Sequence, residues 1–184
     1  MDIFVHDRQT GRTQRVSVSS SGAQGNGFST EPAISADGRF VSFDSDSSNL
    51  VPVDTNGFDD IFVHDRQTGK TQRVSISSSG TQGNDFNYGP TLSANGRFVA
   101  FYSLATNLVP GDTNDAADVF VHDRRTGTTR RVSLNSSGAQ GNRDSFSQAI
   151  SADGRLFAFV SSASNLAPGD SNNVDDIFVR TLMP

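Results

Sequence analysis

The chain contains no cysteine and no tryptophan. Without cysteine it has no disulfides and no thiolate metal sites, which leaves the compartment open. No apolar run approaches the roughly 18 residues of a membrane-spanning helix. No signal-peptide pattern precedes Asp2, where the first recognisable phrase begins. Positive charge is scarce, with 15 Lys and Arg against 20 Asp and Glu and a net charge of −5. No basic patch large enough to grip a phosphate backbone is visible, so nucleic acid is not an expected partner. Leucine is sparse and hydrophobic residues make up only 34%. That composition does not suit helices, which favour Leu, Ala, Glu and Lys.

Ser, Thr, Asn, Asp and Gly are abundant instead, and the 14 Phe fall in regular clusters. This suits short strands joined by long polar turns, and the clusters argue against disorder. The order comes from a repeat. Asp-Ile-Phe-Val-His-Asp-Arg starts at Asp2 and Asp60, returns as Asp-Val-Phe-Val-His-Asp-Arg at Asp118, and begins again at Asp176, a constant step of 58 residues. A fixed period of this kind is one supersecondary unit copied. The units run over residues 2–59, 60–117 and 118–175, with a partial fourth over 176–184, in a single segment spanning 1–184.

One unit reads as four strands. In the central copy these are 90–93, 98–102, 118–123 and 130–134. Asp37-Gly38, Asn95-Gly96 and Asp153-Gly154 stand between the first two, the strongest short hairpin signal, with both central residues expected at positive φ. The third strand is apolar on both faces, as Ile61, Phe62 and Val63 show, and should lie between layers. The fourth alternates, with Val74 and Ile76 expected inward and Arg73 and Ser75 outward. A meander that starts buried and ends solvated is a β-propeller blade. The expected fold is therefore all-β: a β-propeller of four-stranded antiparallel blades, about three 58-residue repeats, an incomplete ring by itself.

Ser-Ala-Asp-Gly-Arg-Phe-Val-Ser-Phe (35–43), Asp-Asp-Ile-Phe-Val-His-Asp (59–65), Thr68-Gly69 and Gln-Arg-Val-Ser (72–75) resemble the TolB-like, WD-like propeller repeat. The likeness covers essentially the whole chain. It departs in having Ala where that family favours Pro before Asp-Gly, and in a longer loop between second and third strands. The resemblance implies a propeller used for binding or scaffolding, and a periplasmic or secreted setting.

Antiparallel parity puts both long loops of each blade on one face. These are residues 49–59, 107–117 and 165–175, beside 22–26, 80–84 and 138–142. Function tends to sit on loops held by a rigid scaffold. Two candidate sets follow. Asp54, Asn56, Asp59 and Asp60, with Asp112, Asn114, Asp115 and Asp118, and Asp170, Asn172, Asp175 and Asp176, offer the oxygen ligands that Ca²⁺ takes. The alternative is that they close Asx-turns on their own loops. No cofactor is required, and calcium is the one candidate. Gln24, Asn26, Gln82, Asn84, Gln140 and Asn142, in Gly-x-Gln-Gly-Asn loops, could place amides on a ligand, or could simply form glycine turns. His6, His64 and His122 share one register on separate blades, so they should pack between blades or bond a neighbouring carboxylate rather than converge on a metal.

No Gly-x-Ser-x-Gly elbow, Walker loop or His-Glu-x-x-His is present, and no catalytic residue is assigned. Five loop residues break the repeat: Glu31, Asp46, Phe58, Tyr88 and Arg143. The expected role is a non-catalytic binding or scaffold module acting on a protein or ligand through the long-loop face. The alternatives are an accessory or fragment propeller of an exported hydrolase and a calcium-stabilised structural repeat. The strands number thirteen, in groups of two, four, four and three, too few to close a ring of four to eight blades. Two chains pairing into a six-bladed ring, or a longer parent chain, would complete it.

Overall fold

The structure, a computed structural model, describes residues 1–182, so residues 183–184 of the partial fourth unit lie outside the described residues. It is all-β, with no helix among the described residues. A two-stranded sheet holds β1 (Phe4–Asp7) and β2 (Arg12–Arg15). Two four-stranded meanders follow, β3 (Ser29–Ile34), β4 (Phe40–Ser45), β5 (Asp60–Asp65) and β6 (Lys70–Arg73), then β7 (Asn87–Leu92), β8 (Phe98–Ser103), β9 (Asp118–Asp123) and β10 (Thr128–Arg131). A three-stranded sheet of β11 (Ser145–Ile150), β12 (Leu156–Ser161) and β13 (Asp176–Thr181) ends the fold. All pairings are antiparallel. The sheets are propeller blades, and the ring they begin is not closed.

Each blade packs on the next through a copied core. Within each blade Phe43 lies opposite Phe62, Phe101 opposite Phe120 and Phe159 opposite Phe178, with ring centroids 6.0, 6.0 and 5.7 Å apart. Ile61, Val63 and Val74 of one blade meet Val99, Phe101 and Leu108 of the following one. Val119, Val121 and Val132 meet Phe157, Phe159 and Leu166 in the same way. Burying one such Phe is worth about 2–3 kcal/mol, so these interfaces carry the fold. As expected, every residue of β5 is buried.

Two local expectations are corrected. Only Gly38, Gly96 and Gly154 of the blade hairpins take positive φ; the preceding Asp37, Asn95 and Asp153 do not. The connection is wider than two residues because the Ser35 hydroxyl donates to Asp37 Oδ1 while Asp37 Oδ1 also accepts from the Arg39 amide. The glycine serves packing too, since a Cβ at Gly96 would collide with the Phe40 ring of the preceding blade. The second correction concerns the fourth strand. Arg73 and Ser75 were placed toward solvent, yet the Arg73 side chain is 9% exposed and Ser75 is fully buried. Both are drawn inward by Asp60, which outweighs the alternation of the strand.

The histidines bond a threonine of the adjacent strand, where a carboxylate was the expected partner. His64 Nδ1 lies 2.9 Å from Thr71 Oγ1, and His122 Nδ1 lies 2.9 Å from Thr129 Oγ1. The Thr71 and Thr129 hydroxyls donate to the Val18 and Ile76 carbonyls of the preceding unit, so each imidazole must supply the proton from Nδ1. Burial then pushes His122 down to about 4 and lowers His64.

Candidate functional site

The long-loop face has two parts, one that repeats and one that does not. The repeating part is internally bonded. Arg73 Nη1 donates to Asp60 Oδ2 at 2.8 Å and to Gln82 Oε1 at 2.9 Å, and lies 3.2 Å from Asp54 Oδ1. Asn56 Nδ2 donates to Asp60 Oδ2 at 3.1 Å and to the Gly83 carbonyl at 3.0 Å. The next copy repeats this: Arg131 reaches Asp112 at 3.0 Å and Asp118 at 3.3 Å and bonds Gln140, while Asn114 donates to Asp118 at 3.0 Å. The expected calcium residues Asp54, Asn56 and Asp60, and Asp112, Asn114 and Asp118, are thus brought together around a guanidinium. Burial raises Asp54, Asp112 and Asp118, and the paired Arg pulls each back down. In the last copy Asp175 accepts from the Ser162 hydroxyl at 2.5 Å, and no guanidinium is recorded on Asp170 or Asp176 among the described residues. Asp115 holds φ 55 in its loop. No group of three or more His, Cys, Asp or Glu arranged to hold a metal occurs among the described residues.

The Gly-x-Gln-Gly-Asn amides knit loop to loop. Asn26 Nδ2 donates to Ser48 Oγ at 3.0 Å while Asn26 Oδ1 accepts from the Ser48 amide at 2.9 Å. Asn84 with Thr106, and Asn142 with Ser164, do the same. Gln82 and Gln140 donate to Thr55 and Thr113 at 2.8 Å, and Gln24 donates to Asp2 at 2.9 Å. These six side chains hold the face rigid, and their amides are already used.

The non-repeating part lies at the inner end of the same face. The first strand of each blade bulges at one position, held at positive φ by Glu31 (47), Gly89 (64) and Ser147 (50). Just before the bulge, three equivalent cross-strand pairs differ in kind: Thr30 with Asp44, Tyr88 with Tyr102, and Phe146 with Val160. Gly89 leaves room for the Tyr102 ring, since a Cβ there would lie 3.0 Å from it. From Tyr102 an aromatic ladder runs outward. Tyr102 to Tyr88 is 5.6 Å between centroids, Tyr88 stacks on Phe86 at 5.8 Å, and Phe58 meets Phe86 edge-on at 5.0 Å.

Carboxylates border the ladder. Asp44 is 4% exposed, accepts from the Thr30 hydroxyl, and is pushed up to about 6, first by burial and then by Glu31 and Asp59. Asp59 is raised by burial, then by Asp46 and Asp60. Burial and the surrounding acids raise Tyr88 and Tyr102 as well. The leading charge effects on these four groups all raise their pKa and come from acidic groups. Of the five symmetry-breaking residues, Glu31, Asp46, Phe58 and Tyr88 belong here, and Arg143 is an exposed loop residue not bonded to them. Asp44, Phe86 and Tyr102 were missed. Asp44 and Tyr102 were nonetheless readable as breaks in the repeat, since Asp, Tyr and Val occupy one position at 44, 102 and 160.

No known protein family and no curated protein matches the chain in sequence. In fold it is similar to TolB from Acinetobacter baumannii, with TM-score 0.56 and 20% identity over 98% of this chain and 35% of that one. It is similar to the tricorn protease, with TM-score 0.57 and 20% identity over 100% of this chain and 16% of that one. A TolB-like protein from Agrobacterium tumefaciens gives 0.54 and 16% identity over 98% of this chain and 57% of that one. The chain thus spans about a third of the first of these and a sixth of the second. The likeness establishes a TolB-like β-propeller fold.

Proposed function

We propose that this chain is a non-catalytic β-propeller binding module that engages its partner through the inner, non-repeating strip of the long-loop face. One observation carries the reading. The repeated loop side chains bond to one another, whereas the strip around Tyr88 offers half-buried rings and carboxylates with no cationic partner among the described residues. Phe86 remains 36% exposed and Phe28 65% exposed, which adds apolar surface beside it. A strained, bulged strand under that surface is the kind of feature that collects at binding sites.

Selection of peptides from a random displayed library on the immobilised chain tests this. Enriched peptides should lose binding to a Phe86→Ser, Tyr88→Ala variant and keep it with Arg66→Ser on the opposite face. Equal binding to the first variant would refute the reading. The same chain should turn over no member of a peptide and glycan panel.

The likeness to part of the tricorn protease favours a second reading, an accessory propeller of a larger hydrolase. There the binding strip would present substrate to a catalytic domain on the same polypeptide. Self-association is the remaining partner class, because Ile177 and Val179 on β13 are 76% and 70% exposed.

A further inference from the structure

Resting on the long-loop reading above, we infer that the strip around Tyr88 binds an organic cation, a guanidinium or alkylammonium group. Two independent features meet there. The first is the aromatic ladder. A cation is attracted to a ring face within about 6 Å of its centroid, and adjacent rings add to that attraction. Phe58, Phe86, Tyr88 and Tyr102 form a continuous series with neighbouring centroids 5.0 to 5.8 Å apart. Neither tyrosine hydroxyl has a recorded partner among the described residues, so both are free to accept an N–H.

The second feature is uncompensated negative charge. Asp44, Asp59 and Asp85 act on Tyr88, Glu31 and Asp44 act on Tyr102, and Asp46 acts on Asp59. Asp46 and Asp85 each accept one backbone amide, and none of the five carboxylates has a cationic partner among the described residues. Elsewhere on this face the buried carboxylates meet an arginine of the chain itself, as Asp60 meets Arg73 and Asp118 meets Arg131. The face therefore already shows how its carboxylates are satisfied, by a guanidinium, and the strip is the place where the chain supplies none. Gln148 adds an acceptor. It is 6% exposed, donates to the Gly89 carbonyl beside the ladder, and its Oε1 accepts no hydrogen bond. Two desolvated carboxylates beside several rings favour a soft, weakly hydrated cation over a compact metal ion, which holds its water more tightly.

The chain carries two tyrosines and no tryptophan, and both tyrosines are in the ladder, so intrinsic fluorescence reports on this site alone. Tyrosine emission would be titrated at low ionic strength with three probes. These are end-blocked Gly-Arg-Gly, its citrulline counterpart, and tetramethylammonium. The arginine peptide should give a saturable change, and the neutral citrulline peptide should bind at least tenfold more weakly. Saturation by tetramethylammonium at similar concentration would place recognition in the rings and point to a small amine ligand. A response to the arginine peptide alone would point to a basic side chain of a polypeptide. Glu31→Gln and Asp59→Asn together, both on exposed or half-buried positions, should weaken cation binding about tenfold without lowering the melting temperature.

Equal response to the arginine and citrulline peptides, or a saturable response to none of the three probes, overturns the inference. If library peptides without basic residues nevertheless bind through Tyr88, the long-loop reading survives and only the cation assignment fails. If no peptide binds through Tyr88 and none of the three probes gives a saturable change, both fail.

Discussion

Single side chains set the pH behaviour of this molecule. His122 falls from its ordinary 6.5 to about 4 because burial disfavours the imidazolium. The unfolded chain therefore binds the extra proton first. Its contribution to stability is complete above pH 6.5 and is lost as pH drops toward 4. A loss of about 2 kcal/mol from this residue is expected across that window, and His122→Gln should flatten it in urea melts at pH 7 and 4.5. Asp44 acts with the opposite sign. It rises from 3.8 to about 6, so the folded state holds the proton more tightly and stability falls as pH climbs from 4 to 6. Asp44→Asn should stabilise the fold at pH 7.5 by about 1 kcal/mol and have no effect at pH 4, again by urea melts. Arg73 shows why partners decide such costs. Arg73→Met would leave Asp54 and Asp60 facing each other unpaired, at a cost of about 3 kcal/mol. Adding Asp54→Asn and Asp60→Asn to that variant should return most of the loss. Because a guanidinium already stands between these carboxylates, the response of the melting temperature to Ca²⁺ followed by EDTA should be the same with and without Asp54→Asn and Asp60→Asn.

At the level of strands and turns, most of the fold was legible in the residues and most of the chemistry was not. The constant spacing of Asp2, Asp60, Asp118 and Asp176 located every third strand, and Asp-Gly or Asn-Gly located every inner hairpin. Chain parity alone put the long loops on one face. Burial of Arg73 was not legible, because strand alternation says which side a residue leaves from and nothing about a carboxylate waiting there. The Gln and Asn amides looked free because their acceptors, Ser48 and Thr55 among them, lie on loops far away in sequence. The ladder was half visible. Tyr88 stood out as a break in the repeat, but its pairing with Tyr102 depends on a bulge that propensity does not reveal. The hairpin glycine offers a test at this scale. Gly96→Ala combines a positive φ with a collision against Phe40 and should cost about 2 kcal/mol or more. The same change at Gly57, which holds positive φ with open space around it, should cost less. Comparing the two urea midpoints separates backbone strain from blade packing.

Across the whole molecule, near-identical blades are stacked by near-identical cores, and the repeat is kept wherever a blade must grip its neighbour. Phe43, Phe101 and Phe159 show that constraint, as do Arg73 and Arg131. It is relaxed at the inner end of the long-loop face, where Thr30 and Asp44 give way to Tyr88 and Tyr102 and then to Phe146 and Val160. A scaffold built by copying can acquire a specific surface only where the copies diverge, and that divergence is concentrated in one strip. Ile177 and Val179 on β13 stand at the register of Ile61 and Val63, which pack on the following blade, and both are exposed. The most direct test of the account is an amide chemical-shift map of the ¹⁵N-labelled chain titrated with a library-selected peptide. The account predicts shifts gathered at residues 30–31, 44–46, 58–59, 86–89 and 102, with the short hairpins at 36–39 and 94–97 silent. Shifts gathered on those hairpins, or spread evenly over all blades, would contradict it.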